Sequence, residues 1–211
     1  MRHGFPRPYS LRPLVFIVAL GILVSCNSGP GAPDDAGYVQ LVEQARAEKD
    51  RALKEDPDSP IPADKRPKIL PLKYYPIDTT FSVPAALRLS DDRPVSEMPT
   101  STGTPRKMQR VGTLEFALEG QPMTLQAFVE DGTQNITSLF VPFADQTTGK
   151  ETYSAGRYLD LKPTATGFYL IDFNRAYNPT CAYNPTWECP YPPPANRLKI
   201  AVHAGEKAPA E

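Results

Sequence analysis

The sequence is poor in histidine and has no excess of positive charge. It contains two histidines in 211 residues, and His3 lies in a segment that we expect to be removed, so any histidine-dependent catalysis would depend on His203 alone. This argues against a multi-histidine metal site and leaves Ser-His or Cys-His hydrolysis a single candidate base. Lys and Arg number 23 against 24 Asp and Glu, with no basic stripe, so nucleic acid is not an expected partner. We expect no metal and no cofactor.

The N-terminal residues have the three parts of a secretory signal. Arg2, Arg7 and Arg12 make an acid-free basic start, and an uncharged run of 11 residues from Leu14 to Val24 follows. As a helix this run would rise only about 16 Å, against a hydrocarbon core of roughly 30 Å. The pattern therefore predicts a signal peptide over residues 1–25 rather than a membrane span.

The end of this signal resembles a bacterial lipobox. Leu23-Val24-Ser25-Cys26 fits all four positions directly after the apolar run, which implies diacylation of Cys26 and cleavage just before it. The alternative is an ordinary signal in which the cysteine falls there by chance. Asn27 occupies the position where lipoproteins of the inner membrane usually have Asp. The expected location is the cell envelope, on the outer membrane facing the periplasm if the host is Gram-negative.

After the signal, the chain divides by composition and by hydrophobic period. Residues 26–37 are small and polar and predict a flexible tether. Apolar residues recur at helical spacing from about 36 to 55, and Asp56-Pro57 stops this amphipathic helix. From Pro57 onward the apolar residues recur with a period of 2, which is typical of β-strands. We expect a single β-rich domain over residues 38–207, followed by a short tail over 208–211.

Six short runs predict antiparallel strands: 81–89, 114–118, 123–129, 137–143, 167–173 and 197–203. Glu119-Gly120 predicts a hairpin between the second and third runs. Pro84 cannot donate to a ladder and predicts an edge strand or a bulge, and residues 90–107 predict a long loop. The expected fold is mainly β, an antiparallel sandwich or partly open barrel, with one N-terminal amphipathic helix.

Residues 145–196 hold most of the polar and aromatic side chains that could form a site. An arginine flanked by tyrosines suits a bound carboxylate or phosphate, since its guanidinium presents five donors in a rigid fork. Arg157 could equally form a buried ion pair with Asp145 or Asp172. The candidate ligand-binding or catalytic residues are Asp145, Thr152, Tyr153, Arg157, Asp172, Asn174, Arg175, Tyr177, Asn178 and Asn196.

Cys181 and Cys189 are separated by seven residues. In an oxidising envelope a pair this close is expected to form a disulfide, which clamps two successive Asn-Pro turns. A second hypothesis makes Cys181 a nucleophile with Cys189 as its resolving partner, which requires a nearby cation to lower the pKa of the thiol.

The same segment resembles an uncharacterised bacterial and archaeal family, domain-of-unknown-function family 1684. The resemblance rests on the runs ETYSAGRYL, DFNRAYNPTCAY and NRL and on the terminal Ala204-Gly205-Glu206, and continues more weakly through Arg46-Ala-Glu-Lys49-Asp50 and Leu72-Lys-Tyr-Tyr-Pro76. One departure is Tyr191, where a small aliphatic residue often follows Cys-Pro. The resemblance implies no activity.

Three hypotheses follow for function. The first is a non-enzymatic, lipid-anchored envelope protein that binds a small anionic or sugar-like ligand, or an envelope partner, through residues 145–196. The second is an enzyme that uses Asp172 or Asp145 as general base with Arg157, or the Cys181/Cys189 pair in redox chemistry. The third is a purely structural lipoprotein. An open cleft would favour the first two, and a sealed polar network the third.

Overall fold

The structure, a computed structural model, describes Met1, Gly4 and residues 35–210. Apart from Met1 and Gly4, the predicted signal peptide lies outside the described residues, as do Cys26, the predicted site of lipid attachment, and most of the predicted tether. In the described part of the chain, no helix combines the length and the apolar character that a membrane crossing needs.

One long helix precedes the sheet. Helix α1 spans Asp35–Glu55 and buries Tyr38 and Val42, which confirms the predicted amphipathic helix. A single turn, α2, follows at Arg66–Ile69. The Arg66 guanidinium donates hydrogen bonds of 2.9 Å to the carbonyls of Lys54 and Asp56. These bonds satisfy carbonyls that the end of α1 cannot pair internally.

Seven strands form one antiparallel sheet: β1 Ser82–Leu89, β2 Val95–Met98, β3 Arg106–Leu118, β4 Gln121–Glu130, β5 Leu139–Phe143, β6 Arg157–Leu161 and β7 Tyr169–Asp172. Their order is β6-β5-β4-β3-β1-β7, and β2 pairs with the remaining part of β3. A further antiparallel bridge joins Pro163 to Tyr169 and brings the β6 edge next to β7. The sheet is therefore a nearly closed barrel, which confirms the mainly β fold predicted from the sequence.

The predicted hairpin is present between β3 and β4. Leu118 pairs with Gln121, and the two residues between them have positive φ, 51° at Glu119 and 73° at Gly120. Positive φ at both central residues is the geometry of a type I′ turn, whose twist matches that of the flanking strands. The turn thereby sets the register of the two longest strands of the barrel.

The strand predicted at residues 197–203 is wrong as secondary structure, although its burial alternates as predicted. Leu198, Ile200 and Val202 are buried in the barrel core. Their backbone groups pair with single partners instead of a neighbouring strand: Leu198 N donates to Ala144 O, and the carbonyls of Ile200 and Val202 accept from Gln146 N and the Arg157 guanidinium. This segment is extended chain, because side chains and isolated bridges take up its polar groups.

Three local expectations also differ from the structure. The predicted loop 90–107 contains β2, whose side chains are mostly exposed and so lack an apolar alternation. Strand β6 was not expected, because its sequence Arg-Tyr-Leu-Asp-Leu is short and charged. Pro84 lies in a strand paired on both sides. The ladder with β3 begins only at Ala85, so at Pro84 the strand pairs with β7 alone.

Candidate functional site

Arg157 and Asp145 form an ion pair inside the barrel. Arg157 Nη2 lies 2.9 Å from Asp145 Oδ2, and both side chains are 0% exposed. The guanidinium also donates to the carbonyls of Ala204, Val202 and Glu206, the last two at 3.0 and 3.2 Å. Arg157 therefore ties the C-terminal segment to the barrel, and its side chain is closed off from solvent.

The other oxygen of Asp145 is also occupied by the protein. Asp145 Oδ1 accepts from the backbone N–H and the hydroxyl of Thr147, at 2.8 and 2.6 Å, and from Val202 N at 3.3 Å. Thr152 completes this group through a 2.9 Å hydrogen bond between its hydroxyl and that of Thr147. Four hydrogen bonds to one carboxylate, one from a cation, offset the cost of burying its charge.

A second network joins Asp172 and Asn174 to helix α1. Asp172 accepts hydrogen bonds from Tyr38 Oη at 2.7 Å, Asn174 N at 3.1 Å and Arg175 Nε at 3.1 Å. The Asn174 amide accepts from Asp78 N at 3.0 Å and donates to Asp78 O at 2.7 Å and to Tyr38 Oη at 3.0 Å. Burial, followed by the hydrogen bond to Asp172, raises the pKa of Tyr38. The network fixes the start of α1 against the end of β7.

Glu206 lies at the centre of a third network, although it is not among the candidate site residues predicted from the sequence. Its carboxylate is 1% exposed and accepts from Lys49 Nζ, from Tyr183 Oη at 2.8 Å and from Asn178 N at 2.8 Å. The Asn178 amide donates to Lys207 O at 2.7 Å. A buried carboxylate with these partners links α1, the 178–183 loop and the C-terminal segment. The terminal Ala-Gly-Glu run was the signal that could have identified it.

Asn196 replaces a missing strand partner. Its side-chain oxygen accepts from Gln126 N at 2.7 Å, and its side-chain nitrogen donates to Gln126 O at 2.9 Å and to Pro142 O at 2.7 Å. The side chain is fully buried. Because one amide pairs with both backbone groups of Gln126, Asn196 acts as a short extension of the sheet.

The arginines proposed as ligand anchors are thus used within the fold. Arg175 is half-exposed but is paired with Asp172, three residues before it. His203, the one candidate base, is exposed and lies 3.6 Å from Glu151. No three His, Cys, Asp or Glu side chains between residues 35 and 210 are grouped as a metal site.

A cleft of about 320 Å³ opens beside these networks, and we call it the tyrosine–cysteine cleft. Edge-to-face ring contacts hold its aromatic wall together, with centroids 4.7 Å apart for Phe140 and Tyr158 and 5.8 Å apart for Tyr158 and Tyr177. Of the residues selected from the sequence, Tyr177 and Cys189 contribute to it. The residues that define it are Arg106, Glu130, Phe140, Tyr158, Tyr177, Glu188 and Cys189.

The tyrosine–cysteine cleft carries more negative than positive charge. Arg106 lies 3.1 Å from Glu188 and 3.5 Å from Glu130, so two carboxylates share one guanidinium. Tyr177 Oη donates to Asp160 at 2.6 Å. Burial is the main cause that raises the pKa of both Tyr158 and Tyr177, so these hydroxyls stay protonated, and each donates within the protein, Tyr158 to Pro190 O and Tyr177 to Asp160. An anion would therefore meet two carboxylates for one cation.

Cys181 and Cys189 are buried and unlinked in the structure. Cys189 Sγ accepts a hydrogen bond from Cys181 N at 3.1 Å and lies 3.3 Å from Thr180 Oγ1. The interaction between the two thiols, helped by burial, raises the pKa of Cys181, and the same interaction lowers the pKa of Cys189. Cys181 Sγ accepts a longer hydrogen bond from Tyr153 Oη, at 3.8 Å. The shorter contacts, from a backbone N–H and a threonine hydroxyl, are those to Cys189.

These features define a mainly β, nearly closed barrel whose C-terminal segment is fixed by buried ion pairs, with one aromatic cleft beside them. The family model described as "Protein of unknown function (DUF1684)" matches residues 70–207, and the chain belongs to this family. An uncharacterised protein of the archaeon Haloarcula marismortui, solved in solution by NMR, is 35% identical, with a TM-score of 0.64. The match covers 82% of this chain and 96% of that one. Among curated proteins, none matches.

Proposed function

We propose that this protein is a lipid-anchored cell-envelope protein that binds a small, uncharged, sugar-like ligand in the tyrosine–cysteine cleft. The observation that carries the proposal is the aromatic wall of Tyr158 and Tyr177 beside carboxylates that can accept hydrogen bonds. The C–H face of a sugar packs on such rings, and its hydroxyls donate to carboxylates. A volume of about 320 Å³ is within the range of small-molecule sites.

The charge balance favours the sugar-like ligand over the anionic one. Arg157 is sealed with Asp145, so its guanidinium is not available to a ligand, and the half-exposed Arg175 is paired with Asp172 and does not line the cleft. The cleft's own cation, Arg106, is already shared by two glutamates. The same pairing makes an enzyme built on Asp145 and Arg157 a poor fit, because the donors and acceptors that catalysis would use are engaged within the fold.

Ligand binding is tested by saturation-transfer NMR with the full chain in detergent. We expect N-acetylglucosamine or glucose to show transfer and inorganic phosphate to show none. Tyr177→Ala removes one wall of the cleft and is expected to weaken sugar binding about tenfold or more, equivalent to 1.4 kcal/mol. Tyr191→Ala is the matched control, since Tyr191 is exposed and lies outside the cleft. Transfer to phosphate alone, or equal binding by Tyr177→Ala and wild type, would contradict the proposal.

The proposed anchor depends on Cys26. The lipobox resemblance and the short apolar run support diacylation of this cysteine. In cells fed an alkyne analogue of palmitate, we expect the wild-type protein to be labelled and Cys26→Ala to be unlabelled. Ser25→Ala keeps a small residue before the cysteine and should label normally. An unlabelled wild type, or a labelled Cys26→Ala protein, would refute lipidation.

We further propose that Cys181 and Cys189 form a disulfide in the oxidising envelope. The 3.1 Å hydrogen bond from Cys181 N to Cys189 Sγ supports it, because it places the Cys189 sulfur directly against the backbone of Cys181. The bond would close a loop of about nine residues and stabilise the fold by roughly 2–3 kcal/mol in the chain-entropy model.

A further inference from the structure

We propose that Cys189 is the attacking thiol and Cys181 the resolving thiol of a redox-active pair in the tyrosine–cysteine cleft, with a low-molecular-weight disulfide as the substrate. The inference rests on the proposed disulfide and assigns the direction of its chemistry. It reverses the roles in the second of the two hypotheses drawn from the sequence, in which Cys181 was the nucleophile and Cys189 its resolving partner.

Access distinguishes the two cysteines. Cys189 is among the residues that line the cleft, together with Thr180, Pro179 and Pro190, whereas Cys181 is not. Both side chains are otherwise covered, with Cys181 5% and Cys189 3% exposed. A small disulfide that enters the cleft therefore meets Cys189 first.

Hydrogen bonding also favours Cys189 over Cys181 as the attacking thiol. Cys189 Sγ accepts from Cys181 N at 3.1 Å and lies 3.3 Å from the Thr180 hydroxyl, whereas Cys181 Sγ accepts only a longer hydrogen bond from Tyr153 Oη, at 3.8 Å. Donors aimed at a sulfur stabilise its thiolate, and the thiolate is the nucleophile in exchange with disulfides. The charge of Arg106 acts in the same direction and lowers the pKa of Cys189, although burial opposes both effects. Cys181 keeps its proton, since its pKa is raised.

The backbone holds the attacking residue in place. Cys189 N donates to Ser101 Oγ at 3.0 Å, and Ser101 N donates to Cys189 O at 3.0 Å. Tyr191 N donates to Pro99 O at 2.8 Å just beyond. These bonds tie both sides of Cys189 to residues 99–101, so the sulfur keeps its position relative to the cleft.

The reaction has two exchange steps. The Cys189 thiolate attacks one sulfur of the substrate disulfide, the substrate S–S bond breaks, and the first thiolate leaves. Cys181 then loses its proton to that thiolate and attacks Cys189 Sγ, which forms the Cys181–Cys189 bond and releases the second substrate half as a thiolate. Two protein sulfurs are oxidised, and one substrate disulfide is reduced to two thiols. No further oxidant is needed.

The test uses the full chain carrying Cys26→Ser, so that only Cys181 and Cys189 can react. The reduced protein is treated with substoichiometric iodoacetamide from about pH 5 to about pH 9 and mapped by peptide mass spectrometry. We expect about tenfold more label on Cys189 than on Cys181, and labelling that persists to a lower pH than for free N-acetylcysteine. Equal labelling, or preference for Cys181, would overturn the inference. Because no cleft variant is used, loss of folding cannot explain either result.

Bis(2-hydroxyethyl) disulfide, which is uncharged and so is not repelled by the acidic cleft, then tests the resolving step. We expect the protein to lose two hydrogens and carry no hydroxyethylthio group, whereas Cys181→Ser should retain one such group on Cys189. Cys189→Ser is the matched control and should react more slowly by about tenfold. A hydroxyethylthio group retained by the protein with both cysteines would overturn the resolving role of Cys181. The proposed disulfide fails separately if the protein isolated from the envelope without reductant has two free thiols.

Discussion

Replacing Arg157 with methionine is expected to lower the free energy of unfolding by about 3–5 kcal/mol. The change leaves Asp145 buried without its cation and removes the donors from the carbonyls of Val202, Ala204 and Glu206. The neutral pair Arg157→Met with Asp145→Asn should recover part of the loss, because no unpaired charge then remains inside the barrel. Urea denaturation followed by circular dichroism measures each value.

Arg88→Met is the matched control for this prediction. Arg88 lies 2.8 Å from Glu115 in an ion pair whose arginine side chain is 74% exposed. Removal of that pair should change stability little, since solvent screens exposed charges. If Arg157→Met costs no more than Arg88→Met, the sealed pair does not hold the C-terminal segment. A variant too unstable to purify agrees with the prediction, and Arg157→Lys, which keeps the charge but cannot reach three carbonyls, should be intermediate.

Replacing Glu206 with alanine is expected to destabilise the protein by about 3 kcal/mol or more and to loosen helix α1. The Glu206 carboxylate is the acceptor for Lys49 of α1, Tyr183 Oη and Asn178 N. Without it, one lysine loses its anion and two donors are left buried. The helix should then become the first site of protease cleavage, measured by limited proteolysis alongside urea denaturation.

Glu43→Ala provides the control on the same helix. Glu43 is an exposed residue of α1, so its removal should leave both the unfolding transition and the protease pattern close to wild type. If Glu206→Ala unfolds at the same urea concentration as Glu43→Ala, the buried carboxylate is not what attaches α1. If only the stability falls and α1 remains protected, the helix is held instead by Tyr38 and by Arg46, whose guanidinium donates to the carbonyls of Tyr75 and Asn174 at 3.0 and 3.2 Å.

Local patterns predicted most of the fold. Helix α1 followed from a 3.6-residue period ended by Asp56-Pro57, and the β3–β4 hairpin followed from Glu119-Gly120, because both signals depend on a few neighbouring residues. The segment 197–203 shows the limit of such patterns. Its alternation correctly indicated alternate burial, but whether an extended segment has a strand beside it depends on distant residues.

The candidate site was predicted in part. Tyr177 and Cys189 line the tyrosine–cysteine cleft, while Asp145, Arg157, Asn174 and Asn196 are buried in the fold's own hydrogen bonds. The sequence does not show whether the partners of a polar residue are a ligand or carbonyl groups of the protein itself. Arg106, Glu130 and Phe140 escaped selection because they lie on β3, β4 and β5, outside the segment 145–196 on which the analysis concentrated.

The sequence by itself determined the long helix, the β period, the central hairpin and a set of polar residues too numerous for a simple core. It also motivates the predicted lipid anchor at Cys26, which depends on a contiguous run of residues. Only the tertiary structure decided which polar groups are sealed and which line a cleft, and which cysteine accepts the hydrogen bonds. The physical reason is that burial and pairing energies depend on groups brought together from up to 157 residues apart, as between Lys49 and Glu206.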